Sequence, residues 1–233
     1  MTGAAGTTGA ASTTRAVGAA AADPVTAAIA GAGLVAILRA PTAEHFTAVS
    51  AALVDAGVTA IEVTLTSRGA VESIASLTRE LPDHVVVGAG TVLTAEQARA
   101  CVDAGAMFLV SPVAAPEVTR YSLTAGVPAY PGALTPTEVF TASRGGAAVV
   151  KLFPASAVGP RYLRDLHGPL PDVQIIPTGG IGLDDIANWL TAGALAVGVG
   201  GPLVGDAGQG GSLSALADRA RRAVEAVHTA RSS

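Results

Sequence analysis

From Gly33 onward the chain repeats one rhythm, a short apolar run rich in β-branched residues followed by a helical pattern that ends at Gly or Pro. Eight such units can be read, with strands near 34–39, 60–65, 85–91, 107–112, 128–133, 148–154, 173–178 and 196–200. The intervening helices fall near 43–56, 69–80, 95–104, 116–125, 136–144, 160–167, 183–192 and 212–230. Strands that alternate with helices pair in parallel and must be covered on their outer face. Eight units with no internal linker therefore predict an α/β chain closed into a single-domain (β/α)8 TIM barrel, with an open doubly wound sheet as the alternative.

Local chemistry agrees with these boundaries. Thr94 is followed by Gln97, and Thr135 by Pro136 and then Glu138, which are helix-start patterns in which Glu138 reads as a cap. Gly57, Gly105, Gly126 and Gly193 mark helix ends. Residues 1–22 are almost all Ala, Gly, Thr and Ser, and read as a disordered tail or start-site extension ahead of the barrel domain at 23–233.

Half the residues are apolar but only 3% are aromatic, so Ala, Val, Leu and Ile must fill the core. The net charge is −4 with no basic tract, which leaves no electrostatic footprint for nucleic acid or an anionic membrane. No apolar stretch approaches the ~20 residues of a membrane span. Cys101 stands alone and cannot form an internal disulfide, so a reducing cytoplasm is the expected setting.

Lys151 is the only lysine, against thirteen arginines, and it lies in the apolar run Ala147-Ala148-Val149-Val150-Lys151-Leu152-Phe153-Pro154. An ammonium taken from water is costly, and an apolar setting favours the free amine. A neutral amine attacks ketones, so the strand reads as a Schiff-base site. The competing reading is a strand-end lysine that snorkels to solvent or forms a structural ion pair.

Strand parity sorts the polar side chains. Ala60, Glu62 and Thr64 share one face, and Ile61, Val63 and Leu65 suit the helix layer, so Glu62 points into the barrel. The same parity turns Val149, Lys151 and Phe153 inward, with Val35, Ile37 and Arg39, and puts Thr91 and Thr178 at inward strand ends. These groups converge at the carboxyl rim, where barrel enzymes keep their active sites. A mutually neutralising buried cluster is the alternative.

The seventh and eighth units contribute two glycine clusters, Pro177-Thr178-Gly179-Gly180-Ile181-Gly182 and Gly198-Val199-Gly200-Gly201-Pro202. Loops there offer backbone N–H groups to phosphate, so a phosphorylated substrate is expected; tight turns alone are the plainer reading. Gly88-Ala89-Gly90-Thr91 lacks the third glycine of a dinucleotide loop. His45, His84, His167 and His228 show no paired spacing, so no metal site is expected.

Taken in order, Ala36-Ile37-Leu38-Arg39, Ile61-Glu62-Val63-Thr64-Leu65, Gly88-Ala89-Gly90-Thr91-Val92-Leu93, Val110-Ser111-Pro112, Tyr130-Pro131-Gly132, Val150-Lys151-Leu152-Phe153-Pro154 and Pro177-Thr178-Gly179-Gly180-Ile181 resemble the class I aldolases that cleave 2-keto-3-deoxy-6-phosphogluconate (KDPG), with relatives acting on the galactonate epimer or on 4-hydroxy-2-oxoglutarate (KHG). The resemblance runs from about Gly33 to Val204. It implies Lys151 as the imine-forming residue and Glu62 as the proton-transferring acid/base. Arg39, Thr91 and Thr178 would line the substrate pocket, Pro112 and Phe153 would shape it, and Gly179, Gly180, Gly200 and Gly201 would hold the phosphate. It further implies a homotrimer that needs no cofactor or metal, with pyruvate as one product. Two departures stand out: Thr66 and Arg68 follow the second strand where some members carry an arginine at the first of these positions, and Gly201 replaces a serine found in some.

Three other readings of the residues stay open. A non-covalent phosphate-binding barrel isomerase or transferase would share the glycine loops without forming an adduct with pyruvate. A sibling aldolase would cleave 4-hydroxy-2-oxoglutarate without preference for phosphate, and a sugar-phosphate binder would turn nothing over.

Overall fold

The computed structural model describes residues 23–232, so the expected tail at 1–22 lies outside the described residues. Nine short strands are formed: β1 Leu34–Leu38, β2 Ala60–Thr64, β3 Val86–Gly90, β4 Leu109–Val110, β5 Ala129–Tyr130, β6 Gly132–Ala133, β7 Val150–Leu152, β8 Ile175–Pro177 and β9 Val197–Val199. All pair in parallel, in one ladder of order β5-β4-β3-β2-β1-β9 and a second of order β6-β7-β8.

The fifth run of the sequence is divided between the ladders. Pro131, which has no N–H to donate, separates β5 from β6. Its carbonyl accepts from the Lys151 N–H at 2.9 Å. At the other edge Leu195 N–H donates to the Ile175 carbonyl at 2.9 Å, and Thr178 bridges Gly198. The fold is thus a parallel α/β architecture whose two ladders touch along both edges.

Helices cover the strands: α1 Pro24–Ala32, α2 Phe46–Asp55, α3 Ala70–Glu80, α4 Ala95–Asp103, α5 Pro116–Ala125, α6 Pro136–Arg144, α7 Pro160–His167, α8 Ile186–Thr191, α9 Gly201–Val204 and α10 Leu213–Ser232. Both expected capping boxes form, with Thr94 and Gln97 opening α4, and Thr135 and Glu138 opening α6. Two backbone N–H groups and the Thr135 hydroxyl hold the Glu138 carboxyl below its ordinary range, as befits a cap.

Helical elements also differ from the sequence reading. Helix α1 precedes the first strand; the Asp23 carboxylate accepts from Thr26 N–H at 2.9 Å and Pro24 occupies the first turn. The helix expected over 183–192 divides into a 3-10 turn, Leu183–Asp185, and α8. The loop after β9 carries the short helix α9.

Apolar packing forms two layers that follow strand parity. Leu34, Ala36, Leu38, Ile61 and Val63 pack outward with the helices. Val35, Ala60, Val86, Phe108, Tyr130, Val149 and Ile176 pack inward, joined by Ile29 of α1. Burying Ile29 contributes ~2 kcal/mol and fastens α1 against the inner layer, and Thr26 Oγ1 lies 2.9 Å from the Tyr130 hydroxyl in the same buried contact.

Candidate active site

Parity and the pleat deliver two charged side chains to the inner face. Glu62 of β2 and Lys151 of β7 are 3% and 5% exposed, and Nζ lies 3.9 Å from Oε1. That separation exceeds hydrogen-bond reach, and Glu62 Oε1 has no hydrogen-bond partner. A buried ion pair returns less attraction than its desolvation costs unless further hydrogen bonds complete it. An uncompleted pair on the inner face of parallel strands therefore reads as a site held ready for a third group.

The surroundings of the pair are mainly apolar. Val35, Phe108, Val110, Tyr130 and Ile176 line the same cavity, with Thr178 and Gly198 beside them. The Phe153 ring centroid lies 5.2 Å from Nζ, close enough for its π face to favour a cation there. Phe108 and Tyr130 stack at 5.5 Å and form an apolar floor.

The other residues singled out by sequence divide into groups. Thr178 is buried and lines the cavity with Lys151 and Glu62. Arg39, exposed just beyond β1, donates through Nη2 to Thr91 Oγ1 at 3.3 Å. Thr91 does not end its strand as parity implied: β3 stops at Gly90, and Thr91 takes φ 60. A β-branched residue in the left-handed region costs on the order of 1–2 kcal/mol, strain typical of a functional position. Pro112 and Phe153 are half-buried in the loops after β4 and β7.

Gly179 and Gly180, with φ of 95 and 73, follow β8. A Cβ on Gly180 would meet Ser156 at 2.6 Å, so this turn is closely packed against the loop after β7. Gly200 and Gly201 stand at the start of α9, and a Cβ on Gly201 would meet nothing within 4 Å. Cys101, on the core side of α4, is fully buried, which pushes its thiol up to about 11.

Sequence reasoning missed the floor residues Phe108, Val110, Tyr130 and Ile176, and the glycines whose missing side chains make room for their neighbours. A Cβ on Gly198 would lie 2.4 Å from Thr178 Oγ1. Inward parity could have found the floor; the glycine contacts depend on side-chain tilt.

These features define a parallel α/β protein with a lysine and a carboxylate buried on the inner face of its strands. A family model for KDPG and KHG aldolases matches residues 25–214, and the chain belongs to that family. It is 37% identical over 198 residues to the 2-dehydro-3-deoxy-6-phosphogalactonate aldolase of Escherichia coli, covering 84% of this chain and 95% of that one. It is 40% identical over 140 residues to the 2-dehydro-3-deoxy-phosphogluconate aldolase of Pseudomonas aeruginosa, covering 60% of this chain and 63% of that one. Among solved structures, the KDPG aldolase of Legionella pneumophila, with pyruvate captured as a covalent carbinolamine intermediate, superposes with a TM-score of 0.78 at 28% identity, over 84% of this chain and 96% of that one.

Proposed function

We propose that the protein is a class I aldolase that cleaves 2-keto-3-deoxy-6-phosphogluconate to pyruvate and glyceraldehyde 3-phosphate. The observation that carries this reading is the pairing of buried Lys151 with Glu62 Oε1, which lies 3.9 Å away and has no hydrogen-bond partner. Cleavage of the 6-phosphogalactonate epimer is the second reading, favoured by the fuller alignment with the galactonate relative, 95% of its length.

In the proposed reaction Lys151 gives up a proton to solvent and attacks the C2 ketone as the free amine, and the carbinolamine hydroxyl takes up a proton and leaves as water, giving a protonated imine. Glu62 takes the C4 hydroxyl proton. The C3–C4 electron pair moves into the C2–C3 bond as the imine π pair moves onto nitrogen, and the aldehyde departs. Glu62 then returns its proton to C3 of the enamine, and water releases pyruvate, the free amine and a proton, which restores Lys151 to its starting state. The imine nitrogen is the electron sink, so the reaction as written needs no metal or cofactor. An oxygen 3.9 Å from Nζ is suitably near for C3, two bonds from that nitrogen, to fall within the ~3 Å reach of a general acid.

Arg39, Thr91 and Thr178 bind the substrate in this reading, Pro112 and Phe153 shape the pocket, and Gly179, Gly180, Gly200 and Gly201 hold the phosphate. A closed eight-stranded barrel in one domain from residue 23 underlies it, with β5 and β6 as one interrupted strand; the contacts at both ladder edges support closure. A homotrimer in a reducing cytoplasm completes the proposal, supported by the family and by the buried thiol. No helix among the described residues is long and apolar enough to cross a membrane.

The test supplies each epimer to the purified protein and follows pyruvate through coupled lactate dehydrogenase. Pyruvate and glyceraldehyde 3-phosphate in equal amounts from either epimer support the reading, and the faster epimer identifies the substrate. Release of neither product from both epimers refutes it.

A further inference from the structure

We propose that Gly90 is a positioning residue, which holds the Glu62 carboxylate where it can exchange protons with substrate by offering it a strand surface without a side chain. The inference rests on the reading of Glu62 as the proton-transferring group.

The inward face of β3 is almost bare. Val86, Gly88 and Gly90 share that face by parity, and two of the three have no side chain. The space is taken by neighbours instead. A Cβ on Gly88 would lie 2.4 Å from the Phe108 ring, and one on Gly90 would lie 1.9 Å from Glu62 Oε1, 2.5 Å from Cδ and 2.7 Å from Cγ. Glu62 is paired with Gly88 in the ladder, and Gly90 with Thr64. The Glu62 side chain therefore leans along the strand direction and lies diagonally across Gly90.

Gly90 has an unexceptional φ, so backbone conformation does not demand a glycine there. The demand comes from the carboxylate. A β-carbon at residue 90 would have to be relieved either by the strand or by Glu62. The strand is pinned from both sides: Leu65 N–H donates to the Gly90 carbonyl at 2.8 Å, Ala89 N–H to Phe108 at 2.9 Å, and Val92 N–H to Val110 at 3.0 Å. The side chain must yield. Ordinary contact begins near 3.4 Å, so Oε1 would move by about 1.5 Å, a displacement of the size that costs on the order of 100-fold when reacting groups are misplaced.

The experiment compares the wild-type protein with Gly90→Ala and Glu62→Gln. Two signals are read with pyruvate as the only ligand: exchange of its methyl protons in D2O by NMR, and the adduct trapped by borohydride. Exchange requires proton transfer at C3, whereas trapping requires only the imine. The expected result for Gly90→Ala is exchange slowed on the order of 100-fold with the trapped adduct retained, a separation that general loss of structure would not produce. Wild-type exchange in Gly90→Ala, with exchange lost in Glu62→Gln, overturns the positioning role and leaves the proton-transfer reading intact. Wild-type exchange in Glu62→Gln overturns the proton-transfer reading, and the positioning role with it.

A double-mutant cycle guards against a variant that merely unfolds. The three nearest atoms to a Cβ at residue 90 all belong to Glu62, so Gly90→Ala should lower the Tm far less in a Glu62→Ala background than in wild type. Equal loss in the two backgrounds would overturn the proposal.

Discussion

Replacing Glu62 by Gln keeps the shape of the side chain and removes its ability to accept a proton. A general acid/base contributes ~100- to 10,000-fold to rate, or about 3–5 kcal/mol of barrier. The surroundings decide where in that range the loss falls. Among the described residues that line the cavity, Tyr130 is the one titratable side chain besides Glu62 and Lys151. Burial pushes its phenol well above the ordinary range, and its hydroxyl is engaged with Thr26 at 2.9 Å. No second base stands ready, so kcat for cleavage should fall toward the upper end of the range while KM changes little. Steady-state cleavage, with circular dichroism to verify the fold, measures this. Turnover within about tenfold of wild type would refute the argument that Glu62 moves the proton.

Two further outcomes follow from packing and burial. Phe108→Ala removes a fully buried ring that stacks on Tyr130 and fills the space over Gly88, and should cost about 3–5 kcal/mol in urea unfolding; a loss under about 1 kcal/mol would contradict the role of this ring as the floor. The Cys101 thiol, raised from 9.0 to about 11, holds its proton more tightly in the folded chain than in the unfolded one. Stability linked to it is therefore intact below about pH 9 and is lost as pH rises through 11, with roughly 2 kcal/mol gone by pH 11. Unfolding of wild type and Cys101→Ala at pH 8 and pH 11 should show their difference shift by that amount, and an unchanged difference would refute it.

Much of this arrangement is legible in the residues because strand parity and helix capping are local rules. Alternation alone turned Glu62 and Lys151 to one interior, and Thr94 and Thr135 announced their helices through partners three residues away. Helix α1 escaped notice because its Ala-rich turn adjoins an Ala-rich tail, although Asp23-Pro24 carries a start signal. Helix α9 is four residues long, too short for periodicity to register. Thr91 escaped its expected place because a positive φ turns the chain just past β3, and parity holds only while the strand continues. The service of Gly90 to Glu62 depends on a side chain leaning across from the neighbouring strand, which spacing along the chain cannot reveal.

The proposed chemistry depends on Lys151 forming an imine with the ketone of the substrate. Borohydride reduction in the presence of pyruvate, followed by peptide mass spectrometry, tests it most directly, with Lys151→Arg as the companion because arginine retains charge but forms no imine. A pyruvate-sized adduct on Lys151 is expected, with neither adduct nor cleavage in Lys151→Arg. An unmodified Lys151 in folded protein, or cleavage by Lys151→Arg near the wild-type rate, would contradict it.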